Sequence, residues 1–175
     1  MLPGVTCTRL GADRCPGLLK PFVAQDGAII RLRVPGGRVR VSTLADLLAI
    51  GADHGAPLLS VTSRTNLQVR GLPDPLPEDV MVRAEATGLL PSPSHERARN
   101  ILAAPLAPDL QPLVAELDAA LCADPFLADL PGRFLFAVTD ATGAVLTEPV
   151  DAAYQALTPT SGVIRLAGLG MPCAR

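Results

Sequence analysis

Arg64, Asn66, Gln68 and Arg70 occupy every second position of the stretch from Thr62 to Gly71. In an extended chain such residues share one face, while Leu67 and Val69 line the other. This arrangement mounts a row of hydrogen-bond donors on a strand, suited to anions and above all to carboxylates, which guanidinium forks bind bidentately. After a Pro-Ser-Pro break, the stretch Ser92-Pro93-Ser94-His95-Glu96-Arg97-Ala98-Arg99-Asn100-Ile101 brings Arg97, Arg99 and Asn100 as a second donor cluster. Two such clusters can close over one ligand, and a large, flat polycarboxylate fits that shape. Taken separately, each has a plainer reading: the solvated face of an edge strand and an ordinary surface loop.

Other chemistries find little support. Gly168-Leu169-Gly170 begins like a dinucleotide fingerprint, but the third glycine and the helix that must follow have no room so near residue 175. There is no G-x-S-x-G elbow, and the two histidines, His54 and His95, leave little scope for a Ser-His-Asp relay. His54 falls at the end of an expected helix, where the helix dipole favours it. His95 sits within the donor-rich connector. The four cysteines, Cys7, Cys15, Cys122 and Cys173, lack C-x-x-C spacing, so no metal site is expected and reduced, structural thiols are.

The composition sets the context. A chain of 175 residues with 49% hydrophobic content can build one ordinary domain or two small ones. Its net charge of −2 and pI near 5.6 argue against a global nucleic-acid or acidic-membrane binder, so a basic site must be local. Lys20 is the one lysine among 15 basic residues. A mean hydropathy of +0.34 raises the question of membrane insertion, but Asp46, Asp53 and His54 interrupt the most apolar region. Arg9, Asp13 and Arg14 fall where the apolar core of a signal peptide belongs, and a cytoplasmic location is expected.

The elements that must position the donors follow from periodicity. Ile30, Leu32 and Val34 alternate with Arg31 and Arg33, which predicts a strand ending at Pro35-Gly36-Gly37, with Arg38 to Val41 as a second arm beyond a solvent-side turn. Thr43-x-x-Asp46 has the form of a capping box before Leu44, Leu47 and Leu48, with Gly51 or Gly55 as the stop. Leu58 to Thr62 reads as a buried strand, Asn66 to Arg70 as its neighbour, and Glu78 to about Thr87 as a second helix. That order predicts an α+β sandwich with helices on one face of a sheet. Asp109 is placed to cap a further helix with the stripe Leu110, Leu113, Val114, Leu117 and Leu121. Arg133 to Thr139 reads as a half-buried strand turning back at Asp140 to Gly143. Val163 to Leu166 has the character of one more strand, without a patterned partner after it.

The order of these motifs resembles the nitrite/sulfite reductase superfamily, and within it the precorrin-3B synthase branch of aerobic cobalamin biosynthesis. The resemblance is carried by Arg14-Cys15-Pro16-Gly17-Leu18-Leu19, by Thr62 to Leu72, by Gly88 to Leu102 and by Leu130-Pro131-Gly132-Arg133-Phe134-Leu135-Phe136. It runs from about Arg14 to Val145. It implies a lead-in over 1–14, a ferredoxin-like half domain over 15–87, part of a siroheme- or tetrapyrrole-binding α+β domain over 88–146, and a divergent tail over 147–175. It also implies that a polycarboxylated tetrapyrrole, precorrin-3A-like, is gripped by Arg64, Asn66, Gln68, Arg99, Asn100 and Arg133.

Two departures from the family pattern bear on function. Leu135 stands where sulfite reductases carry a second lysine, which favours the oxygen-dependent precorrin branch over sulfite or nitrite reduction. The paired cysteines that hold the family's 4Fe–4S cluster, which works beside siroheme or a further iron centre, have no counterpart here, so no cofactor is encoded by this chain alone. The resemblance therefore implies an N-terminal part of an oxidoreductase, not catalytic in isolation. The alternatives are a non-catalytic tetrapyrrole-binding scaffold and a fragment of a sulfite or nitrite reductase. Pairing with a second copy or with a separate cluster-bearing chain is expected, and neither nucleic acid nor a membrane is.

Overall fold

The computed structural model describes residues 15–166 and the backbone of residues 169–174. The lead-in over 1–14, with Cys7 and Arg14, lies outside the described residues. Two sheets make up the fold. Sheet 1 contains β1 (Phe22–Ala24), β2 (Gly27–Leu32), β3 (Leu59–Val61) and β4 (Leu67–Leu72) in the order β1-β2-β4-β3, antiparallel throughout. Two helices, α1 (Val41–Asp53) and α2 (Glu78–Ala86), cover one of its faces. Ala28, Ile30 and Leu32 of β2 and Leu67 and Val69 of β4 meet Leu47 and Ile50 of α1 and Val80 and Ala84 of α2 in one apolar core. The period-2 pattern thus places Arg31, Arg33, Gln68 and Arg70 on the opposite face. A bulge between Ala28 and Ile29 leaves Gly71 unmatched on β4 and returns Leu72 to the core side.

Several boundaries differ from the sequence expectation for local physical reasons. The capping box at Thr43 does not form: α1 begins at Val41, Arg40 is its N-cap without a side-chain hydrogen bond, and Thr43 is buried within the first turn. Arg38 to Val41 is accordingly not a strand. The helix passes through Gly51, which lies tight against the returning chain at Ala56, and stops at Gly55, whose φ of +76° suits a residue without Cβ. Leu48 faces solvent. The strand at Leu59–Val61 is not buried but forms the sheet edge, with Leu58 and Val61 exposed.

Sheet 2 contains β5 (Ile101–Ala103), β6 (Phe136–Thr139), β7 (Ala152–Thr158), β8 (Ser161–Leu166) and β9 (Leu169–Ala174), in sequence order. Its first three strands are parallel and its last three antiparallel. Helix α3 (Gln111–Ala123) connects β5 to β6 and packs Val114 and Leu121 against Ile101, Ala103, Val138 and Ala156. A 3-10 turn at Pro108–Leu110 precedes it, so Asp109 is not its cap. On the other face Leu102, Leu135, Ala137 and Ala153 pack with Val145, Leu146 and Val150 from the β6–β7 loop.

The expected half-buried strand over Arg133 to Thr139 is instead the shorter β6, Phe136–Thr139, buried on both faces: Ala137 is as buried as Val138, and Leu135 just before it is equally enclosed. The strand after Asp140–Gly143 is not a hairpin return but runs parallel to β6, which the twelve-residue connection 140–151 permits. Nor does Val163 to Leu166 lack a partner, since it lies within β8 and pairs with β7 on one side and β9 on the other.

Candidate ligand-binding site

The two donor-rich stretches meet where sheet 1 abuts sheet 2. The β3–β4 connection closes by Thr62 N–H donating to Asn66 O (2.8 Å) and Thr65 N–H to Thr62 O (2.9 Å), with Thr65 at φ +57°. Arg64 is therefore held at the tip of a tight turn. Its Nη1 donates to the carbonyl of Arg133 at 2.7 Å, which ties the tip to the turn preceding β6. Arg133 itself is exposed.

Beneath these arginines runs a chain of buried amides. Asn66 Oδ1 accepts from Val34 N–H (3.1 Å), and Asn66 Nδ2 donates to Asn100 Oδ1 (3.1 Å). Asn100 Nδ2 donates in turn to the carbonyls of Arg97 (2.9 Å) and Gly132 (3.1 Å). Both asparagines are 1% exposed. A buried amide must be hydrogen-bonded, and this pair satisfies itself by joining the backbone beside Arg64 to the backbone beside Arg133. The pair positions the two arginines, and its own polar atoms face protein.

The remaining predicted residues lie elsewhere. Gln68 stands opposite Arg31 in the β2–β4 register, and with its amide oxygen turned to that neighbour it accepts from Nε (2.9 Å) and Nη2 (2.6 Å). Arg99 is 4% exposed, and Asp118 of α3 takes its Nε (2.7 Å) and Nη2 (2.6 Å) while the Leu89 carbonyl takes Nη1 (2.8 Å). That fork is filled from within. His95 is also internal: Nε2 donates to Asp124 O (3.0 Å), which fixes Nδ1 as acceptor for the Ser92 (2.8 Å) and Ser94 (3.0 Å) hydroxyls. His54 ends α1 as expected, and in addition meets Asp79 at 2.9 Å, whose carboxyl the hydrogen bond from His54 holds below its ordinary value.

Sequence reading alone missed the contacts that brace this junction. Glu96, 7% exposed, accepts from the backbone N–H groups of Leu18 and Leu19. A Cβ on Gly17 would run into the Glu96 carboxylate, so a larger residue there would have to push that side chain out of the Cys15–Leu19 loop. Arg33 Nη1 donates to Pro16 O from below. Charged and glycine residues in two separated motifs carried this signal, but their pairing required the fold. Cys122 lies one turn beyond Asp118, and burial pushes its thiol pKa up.

Among the described residues no group of three or more His, Cys, Asp or Glu is placed to hold a metal ion. No helix among them is long and apolar enough to cross a membrane.

Residues 23–86 match the family model described as the Nitrite/Sulfite reductase ferredoxin-like half domain. Among solved structures the chain is similar to the Mycobacterium tuberculosis NirA protein, with a TM-score of 0.65 and 20% identity over 87% of this chain. That likeness speaks for the fold. The chain spans 33% of the length of that structure. No curated protein matches it. The chain is a mixed α+β protein, and its residues 23–86 are similar to the nitrite/sulfite reductase ferredoxin-like half domain.

Proposed function

We propose that this chain forms one part of a binding site for a polycarboxylated tetrapyrrole in an oxidoreductase of the nitrite/sulfite reductase kind. The observation that carries this reading is the junction: Arg64 and Arg133, from two distant motifs, are brought together by a direct 2.7 Å hydrogen bond over the Asn66–Asn100 amide chain. Exposed guanidinium groups on a rigid base are suited to grip carboxylates at the rim of a flat ring.

Within that kind, the precorrin-oxidising branch is favoured by Leu135. It is 1% exposed and packs with Leu102, Ala137 and Ala153, so this position offers no cation to a small anion such as sulfite. The ring chemistry would need iron centres from residues beyond those described. A second copy or a cluster-bearing chain would supply the rest of the pocket, and the exposed Leu58 and Val61 on edge strand β3 are suited to pairing with one.

Calorimetric titration with the octacarboxylate uroporphyrin tests the binding role. Arg64→Ala should weaken binding by about 1.5–3 kcal/mol, the contribution of one charge-assisted hydrogen bond. A wild-type protein with no affinity for the porphyrin, or a variant of unchanged affinity, would sink the proposal.

A further inference from the structure

The described arginines divide by partner. Arg70 pairs with Asp26 (3.3 Å), Arg83 with Asp53 (2.9 Å) and Arg99 with Asp118 (2.6 Å). Arg165, on β8, bonds Gln155, and Arg38, Arg40, Arg64 and Arg133 have no carboxylate partner among the described residues. These four are not scattered. Gly37, immediately before Arg38, abuts Thr65, immediately after Arg64: a Cβ there would meet Thr65 Cβ at 3.0 Å. Arg64 in turn bonds the Arg133 carbonyl.

The backbone sets the direction of the added pair. Arg38 (φ −107°, ψ 126°) and Arg40 (φ −70°, ψ 146°) are both extended, and Val39 between them packs on the core of sheet 1. Alternation therefore turns Arg38 and Arg40 outward, and both are exposed. No acidic residue in the first turn of α1 offsets them. The solvent-side turn of the sequence reading is thus a wall of the junction.

Four like charges gathered without counter-charges repel one another, an arrangement that a ligand with several anionic groups relieves. We infer that Arg38 and Arg40 extend the Arg64–Arg133 site and set its preference for ligands with many carboxylates. The inference rests on the tetrapyrrole reading above, and names the residues that count the ligand's acidic arms.

The test titrates the wild-type chain, the Arg38→Ala/Arg40→Ala double variant and Arg83→Ala with three porphyrins: octacarboxylate uroporphyrin, tetracarboxylate coproporphyrin and dicarboxylate mesoporphyrin. Arg83→Ala removes a cation from α2 and controls for the loss of positive charge away from the junction. The double variant should lose about tenfold in affinity for uroporphyrin and little for mesoporphyrin, so that the preference between them collapses, while Arg83→Ala preserves it. Melting curves should show the double variant folded, since both side chains are exposed. A preference unchanged in the double variant, or equally reduced in Arg83→Ala, would overturn the inference and leave the Arg64 reading standing. Failure of the wild-type chain to bind any of the three would overturn both.

Discussion

Arg64 and Arg99 belong to motifs of the same residue types, yet the fold treats them in opposite ways. Arg64 sits half-exposed on a turn tip, where one hydrogen bond to a carbonyl leaves most of its donors free. Arg99 is enclosed, with a bidentate carboxylate and a carbonyl filling its fork. The first is available to a ligand and the second holds α3 against the connector at Leu89. A guanidinium's role is thus decided by what the tertiary structure sets against it, and the stretch around Arg99 serves the junction as a brace.

The strongest way to break this contrast is to remove the brace. Arg99→Ala leaves Asp118, whose side chain is 18% exposed, without its counter-ion, and should destabilise the chain by about 3–5 kcal/mol in urea denaturation. A loss below that of Arg64→Ala would show that the pair is not structural. A smaller effect is expected from Asn100→Ala, which strips Asn66 Nδ2 and Gly132 O of their partner at a cost of about 1–3 kcal/mol. Ligand affinity should fall with it, because the Arg64 and Arg133 turns lose their shared base; unchanged affinity would separate positioning from packing.

The least effect belongs to a hydrogen-bonded pair outside both stretches. Asp79 is held below its ordinary pKa chiefly by the hydrogen bond from His54, so its contribution is complete above the unfolded carboxyl's pKa and is lost as pH falls through the lower folded one. Melting temperatures taken downward from neutral pH should show Asp79→Asn closing its gap to wild type below about pH 4. A gap that widens in acid would reverse the assignment.

How far the sequence was legible follows from the same contrast between regions. In sheet 1 one face is apolar and the other polar, so the alternation of β2 and β4 was readable, and the leucines of α1 stood at helical spacing, while α2 had a less regular apolar pattern. The three-residue edges β1 and β3 are too short to show a period, and β1 passed unseen. In sheet 2 the parallel strands β5 and β6 are buried on both faces and β7 pairs with β8 across a register shift, so alternation carried little there. For the junction, residue order identified Arg64, Asn66, Asn100 and Arg133, while the Asp118 counter-ion and the Glu96–Gly17 clamp depend on contacts between residues 19 and 79 positions apart, on which local pattern is silent. Arg38 follows a turn that reads as solvent-side; the Gly37–Thr65 contact is what moves it.

Thr65 carries a further implication for how this chain can be altered. A β-branched residue at φ +57° occupies a backbone region it disfavours by roughly 1–3 kcal/mol, and neighbours, not its own preference, keep it there. Glycine or asparagine would rest at this position at ease. A search for thermostable versions would therefore be drawn to residue 65, and each success there would slacken the loop that aims Arg64. At this turn, durability and binding precision pull in opposite directions.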